Sequence, residues 1–348
     1  MKYKLLGKSG LRVSELCLGT MTFGEDWGWG SNKEESRKIF DAFLNAGGNF
    51  IDTANLYTNG TSESYLGEFM EGRRECVALA TKYTNSAPGN DPNAGGNQRK
   101  NMMQSVEASL KRLKTDYIDL YWMHIWDGMT PVEEVMRAFD DLVRQGKVLY
   151  VGVSDAPAWW VAQANTIANL RGWTPFVGLQ VEYSLIERTP ERELLPMAQA
   201  LGLTVTAWSP LAGGVLTGKY LTQNGQAGKS DGARLDLPDM QQFFSYGNRT
   251  TAIVQEVMAI AQEVGRTPAQ VALAWLRQRF QPIIPIIGAK KLHQFKDNLA
   301  NLDLILEPKL LDRLTSTSQI ELGFPYEFYT KDMVRTFVYG GMRDLIEA

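Results

Sequence analysis

Eight short apolar runs, separated by stretches of helical periodicity, constrain this chain more than any other feature of its sequence. They are "LCLGT" (16–20), "NFIDT" (49–53), "CVALATK" (76–82), "YIDLYWMH" (117–124), "VLYVGVS" (148–154), "FVGLQVE" (176–182), "LTVTAWS" (203–209) and "IIPIIG" (283–288). Each is nearly continuous in apolar residues, the pattern of a parallel strand covered on both faces. The intervening segments read as amphipathic helices. In "NKEESRKIFDAFLNAG", Ile39, Phe40, Phe43 and Leu44 recur at helical spacing before Gly47 and Gly48. In "TPVEEVMRAFDDLVRQGK", Thr130 is expected as the N-cap, Pro131 as the first helical residue and Gly146 as the stop. Strand and helix alternating eight times close into a (β/α)8 TIM barrel. An open doubly wound sheet is the rival, but "GTMTFGEDWGWGSN" after the first run lacks the G-x-G-x-x-G spacing at a helix start.

Ahead of the first run, "YKLLGKSGLRVSEL" reads as a β-hairpin that plugs the barrel floor. The polar, Gly-rich segment 221–249 is too long for a passive connection and is expected to be a mobile loop near the site. No linker divides the chain, so a single domain over residues 1–348 is expected. A net charge of −3 from 36 basic and 39 acidic residues, with no basic block, argues against nucleic acid as a partner. No secretory leader or uninterrupted apolar span is visible, so a cytoplasmic protein without a membrane segment is expected. Cys17 and Cys76 both lie in strand-like runs and are expected to be small buried hydrophobes, with neither a disulfide nor a metal site.

In such a barrel the chemistry sits at the C-terminal ends of the strands. Run two ends near Asp52, run three at Lys82 and run four at His124, while Tyr57 follows Asp52 in the next loop. Singly, each has a structural explanation: a turn cap, a solvated strand end, a packed ring, a satisfied histidine. Together they can move a proton. A lysine ammonium held by a carboxylate favours the phenolate of a nearby tyrosine and so lowers its pKa. A histidine beside it can orient a carbonyl oxygen. None of the four can supply a hydride, so a redox cofactor is needed.

The ordered motifs "NFIDTANLY", "TSESYLGEFM", "ALATKY", "DLYWMHIWD", "GKVLYVGVSD", "LQVEYSLIER", "AWSPLAGGVLTGKY" and "IIGAKKLHQFKDNL" resemble the aldo-keto reductase family along nearly the whole chain. The resemblance is nearest the aryl-alcohol dehydrogenase-like branch, to which "SDAPAW" is similar. It implies that Tyr57 is the proton donor, that Lys82 paired with Asp52 tunes it, and that His124 orients the carbonyl of a small-molecule substrate. The implied cofactor is NADPH. By the same resemblance Gly19, Thr20 and Met21 lie at its nicotinamide end, Ser154, Gln180 and Asp155 face the carboxamide, and Trp208 stacks on the ring. Ser209, Pro210, Leu211, Gly213 and Lys219 follow the pyrophosphate, and Gly288, Ala289, Lys290, Gln294 and Asn298 the adenosine end, with Lys290 at the 2′-phosphate. Many members have asparagine where this chain has Asp155, which when ionised only accepts hydrogen bonds.

The implied reaction is the reduction of aldehydes or ketones, with aromatic or apolar aldehydes favoured by Trp27, Trp29 and Trp126 in the rim loops and by Phe243, Phe244 and Tyr246 in the long loop. Those aromatics serve equally well as loop anchors. The stretch "GFPYEFYTKDMVRTFVYGGM" either covers the same mouth or mediates contact in a homo-oligomer. Two other functions stay open at this level. One is an NADPH-binding regulatory subunit similar to potassium-channel β subunits; the other is a barrel aldolase using Lys82 as a Schiff base, which requires a neutral amine.

Overall fold

The structure, a computed structural model, describes residues 1–87, 89–221, 247–279 and 283–347. Eight strands, β3 (Cys17–Gly19), β4 (Phe50–Asp52), β5 (Ala78–Tyr83), β6 (Ile118–Met123), β7 (Val148–Ser154), β8 (Phe176–Glu182), β9 (Thr204–Trp208) and β10 (Ile283–Ile287), form a closed parallel barrel. β10 pairs with β3 and closes the ring. Six helices follow successive strands: α1 (Lys33–Asn45), α2 (Thr61–Phe69), α3 (Arg99–Leu113), α4 (Val132–Arg144), α5 (Ala158–Arg171) and α6 (Leu194–Leu201). Two helices, α7 (Asn248–Glu263) and α8 (Pro268–Arg277), separate β9 from β10, and α9 (Leu292–Leu299) and α10 (Pro308–Thr317) follow it. All eight expected strands and the barrel are present. The aromatics Phe243, Phe244 and Tyr246, with most of the expected loop, lie outside the described residues.

Side chains alternate across a strand, so every second residue of each run points into the barrel. The interior cluster contains Cys17, Phe50, Ala78, Ala80, Leu120, Trp122, Ile284 and Ile286. The intervening residues, such as Leu18, Ile51 and Leu79, pack outward against the helices in a separate cluster. Trp122 fills the middle of the interior because Gly152 and Gly178 leave room for it: a Cβ on Gly152 would lie 2.3 Å from the indole. Leu6 and Val13, from the hairpin β1 (Tyr3–Leu5) and β2 (Arg12–Ser14), are fully buried in the same interior cluster. The hairpin docks on the strand starts through Lys4 Nζ to Ile283 O (3.3 Å) and Gly7 N to Thr204 Oγ1 (2.7 Å). The floor is therefore sealed, and the upper ends of the strands remain for chemistry.

Two local expectations need correction. Cys76 is exposed, because Arg74–Cys76 form a 3-10 turn and β5 begins only at Ala78. Thr130 does not cap α4: Pro131 occupies the cap position in an extended conformation, and the Thr130 hydroxyl donates to Asp127 Oδ2 (2.6 Å). Asp127 also accepts the amides of Met129 and Thr130, both at 2.9 Å, and so takes the turn-forming role. Among the described residues, no helix is long and apolar enough to cross a membrane.

Because Trp122 rests against Gly152, Gly152→Ala should force the indole aside and cost about 1–3 kcal/mol. The check is the urea midpoint at unchanged slope; an unaltered midpoint would mean that the interior yields freely.

Candidate active site

The alternation that packs the interior also decides which residue ends each strand facing inward. Asp52 and Gly19 are paired in register, as are Lys82 with Trp122 and Ser154 with Gln180. Asp52, Lys82, Ser154 and Gln180 are all buried. Lys82 Nζ directs its three protons to three acceptors: the Asp52 carboxylate, Thr53 O (2.9 Å) and Tyr57 Oη (3.0 Å). Burial pulls this lysine toward the neutral amine, but the charge of Asp52, Tyr57 and the hydrogen bonds override it and raise its pKa. It is a fixed cation. The second oxygen of Asp52 accepts the side-chain amide of Gln180 (3.0 Å), which orients that amide with its nitrogen toward the carboxylate.

Tyr57 opens a tight turn, Tyr57–Gly60, in which Thr58 and Asn59 both have positive φ (47° and 56°). Its pKa is raised, contrary to the sequence expectation: burial outweighs the downward pull of Lys82. The phenol therefore stays protonated, as a proton donor requires. The His124 ring stands edge-on to it, with centroids 6.0 Å apart. Burial first, and then the Lys82 charge, push the His124 pKa well below the ordinary histidine value, so the imidazole is neutral. Its Nδ1 lies 3.2 Å from the Asn85 side-chain amide nitrogen. An amide nitrogen donates, so Nδ1 accepts and the proton sits on Nε2. Asn85 was not foreseen; its place three residues after Lys82, in the loop beyond a strand end, was the available signal.

The expected nicotinamide-end residues also converge. Trp208 Nε1 donates to Asp155 Oδ1 (3.1 Å), joining the ends of β9 and β7. The Ser154 hydroxyl is buried without a partner of ordinary hydrogen-bond geometry, although it lies close enough to Asp155 to favour that carboxylate's charged form. An orphaned hydroxyl beside Gln180 fits an added amide ligand. Thr20 instead bonds within the protein: its hydroxyl donates to Asp52 O (3.0 Å) and takes part in a bond with Ser62 (2.9 Å). Met21 is half-buried between Thr20 and the rim loop.

After β9 the chain passes Pro210 and Leu211 through left-handed conformations at Ser209, Ala212, Gly213 and Gly214. Such successive turns suit a backbone anion site, and Lys219 Nζ lies against Gly214. Gly288 follows β10 directly beside Gly19. Ala289 O and Lys290 O accept the hydroxyls of Thr22 (3.0 Å) and Ser31 (2.8 Å), which ties this loop to the first rim loop. The Lys290 side chain is half-exposed and Gln294 exposed, whereas Asn298 is buried with its amide 3.5 Å from Gly288 O. Asn298 thus holds the loop from within. Trp27 and Trp29 pair at 6.1 Å, and Trp27 Nε1 donates to Asn59 (3.4 Å) in the Tyr57 turn. Trp126 meets Trp159 edge-on at 5.8 Å. No group of three or more His, Cys, Asp or Glu could hold a metal among the described residues.

Comparison with known proteins identifies the family. Residues 15–319 match the model of the aldo/keto reductase family. An aryl-alcohol dehydrogenase [NADP(+)] of Phanerodontia chrysosporium is 39% identical over 335 residues, covering 91% of this chain and 86% of that protein. An oxidoreductase of Bacillus subtilis, YrpG, is 40% identical over 326 residues (90% and 95%). A norsolorinic acid reductase of Emericella nidulans is 38% identical over 330 residues (92% and 82%). With the family model spanning nearly the whole barrel, this chain belongs to the aldo/keto reductase family and is an oxidoreductase.

Proposed function

We propose that the protein interconverts aromatic aldehydes and alcohols with NADP(H), Tyr57 handling the proton. The observation that carries this reading is the three-way bonding of Lys82, which joins Asp52 to Tyr57 beside a neutral His124. When bound, NADPH supplies the hydride to the carbonyl carbon. Negative charge then grows on the carbonyl oxygen, and Tyr57 delivers its proton there. Lys82, positive and hydrogen-bonded to Tyr57, stabilises the phenolate left behind, while Asp52 keeps the lysine charged and in place. His124, with its proton on Nε2, donates a hydrogen bond to the same oxygen and sets the angle of the carbonyl.

Ser154, Gln180 and Trp208 are proposed to receive the nicotinamide, the turns from Ser209 to Gly213 with Lys219 the pyrophosphate, and Lys290 the 2′-phosphate. The NADP(+) in the name of the Phanerodontia relative supports that choice of cofactor. An aryl substrate is supported by the same name and by the four half- to fully exposed tryptophans, Trp27, Trp29, Trp126 and Trp159, at the rim. A Schiff-base role for Lys82 is disfavoured, since its raised pKa leaves no neutral amine to attack a carbonyl.

Removing the proton donor by Tyr57→Phe should lower kcat for an aromatic aldehyde by about 10²–10⁴-fold. NADPH oxidation by the two proteins is the measurement, since equal rates would remove Tyr57 from the chemistry. Asn85→Asp places an acceptor against Nδ1, moves the ring proton there and turns the Nε2 lone pair toward the substrate. Its kcat should fall by about a hundredfold with the KM for NADPH unchanged; a loss confined to that KM would contradict the tautomer argument. Lys290→Met removes one charge-assisted contact worth about 1.5–3 kcal/mol, raising the KM for NADPH by about 10–100-fold while sparing NADH. Parallel loss with both cofactors would refute the 2′-phosphate assignment.

A further inference from the structure

Asp155 is held in a conformation that residues bearing a Cβ rarely adopt, with φ of 43° at the end of β7. Such strain persists only where the surroundings over-determine it. Here β8, β9 and the loop after β6 converge on one residue. Asp155 N donates to Gln180 O (3.3 Å), Asp155 O accepts from Trp126 N (3.3 Å), and the carboxylate accepts the Trp208 indole N–H (3.1 Å). An asparagine could accept the indole N–H equally well through its amide oxygen. The property peculiar to aspartate at this position is its charge.

The charges around it nearly cancel. Lys82 is neutralised by Asp52, Tyr57 is held protonated and His124 is held neutral. Asp155 is then the uncompensated charge among these five residues. Reduced and oxidised nicotinamide dinucleotides carry the same phosphates; they differ in the ring, which is neutral when reduced and cationic when oxidised. We infer that Asp155 is a positioning residue with an electrostatic role: it tethers Trp208 and, as a half-buried anion at the nicotinamide end, makes the site hold the oxidised cofactor more tightly than the reduced one. The inference rests on the cofactor reading above and deepens it.

Burial raises the Asp155 pKa to about 6, while the bond from Trp208 and the charge of Lys82 pull it down. A cationic ligand favours the ionised carboxylate, and by linkage the ionised carboxylate favours the ligand to the same degree. NADP+ affinity should therefore be full above pH 6 and decline as pH falls through that value, whereas NADPH affinity should not follow. The titratable groups facing Asp155 are Lys82 from β5 and Tyr57 from the β4 loop. Gln180 and Trp126 meet it through backbone atoms alone. Glu182 ends β8 in register with Trp208, the residue that Asp155 tethers.

Calorimetric Kd values for NADP+ and NADPH at pH 5.5 and 7.5 test this on the wild-type, Asp155→Asn and Glu182→Gln proteins. In Asp155→Asn the preference for NADP+ at pH 7.5 should shrink by about tenfold, within the range typical of coupling between sites. Asparagine keeps the indole tether and any new amide contact reaches both cofactors alike, so the NADP+/NADPH ratio of Kd values is the readout, and the pH dependence of the NADP+ Kd should vanish. An unchanged ratio in Asp155→Asn, with both cofactors still bound, overturns the inference and leaves the proposed function standing. Loss of the preference in Glu182→Gln instead assigns it to the wrong carboxylate and also overturns it. If the wild-type protein binds neither cofactor, the functional reading fails and the inference with it.

Discussion

Closure of eight parallel strands into one barrel is the constraint from which the rest follows. Once closed, the barrel has an inside, and strand alternation sends every second residue of each run into it. The interior takes apolar residues, Phe50 and Trp122 among them, with Gly152 and Gly178 leaving room for the indole. The hairpin carrying Leu6 and Val13 seals the bottom. At the upper end, the same alternation delivers Asp52, Lys82, Ser154 and Gln180 to one small space, where polar groups can satisfy only one another or a ligand.

That crowding decides protonation states. A buried lysine is stable here only because three acceptors meet its three protons, one of them a carboxylate that is itself buried. Pairs of this kind stabilise a fold weakly, since desolvation offsets most of the attraction. Burial keeps Tyr57 protonated against the pull of Lys82, and burial with the Lys82 charge keeps His124 neutral. A protonated phenol and an imidazole carrying its proton on Nε2 are two hydrogen-bond donors side by side. At the rim, positive φ occurs at the non-glycine residues Thr84, Asp155 and Ser209, each just beyond a strand end. Backbone strain there is maintained by the rigid strands beneath it.

Much of this was legible in the residues. The strand positions could be read because a strand buried on both faces has few alternatives to a continuous apolar run, and the helices because their apolar spacing is periodic. Asp52, Lys82 and His124 stood out as ionisable groups at the ends of such runs. The failures lie at the ends of elements, where a neighbouring turn decides which residue takes the terminal role. Cys76 looked buried because it adjoins an apolar run, yet the chain enters β5 from an exposed turn. Thr130 looked like a cap, but Asp127 gathers the turn that a cap would have organised.

Residue order alone carried the succession of elements, the family to which the chain is similar and the choice of four candidate site side chains, because periodicity and residue type are local properties. It could not settle the direction of a pKa shift, since that is a balance of burial against charge that exists only when distant segments meet. Lys82 was expected to lower the Tyr57 pKa, and folding reverses the outcome by burying the phenol more effectively than the lysine can compensate. The folded barrel was needed to set the His124 tautomer, through Asn85 at 3.2 Å, and to join Asp155 to Trp208 across 53 residues of chain. Hydrogen-bond partners across a barrel rim follow from strand register, which no single segment encodes.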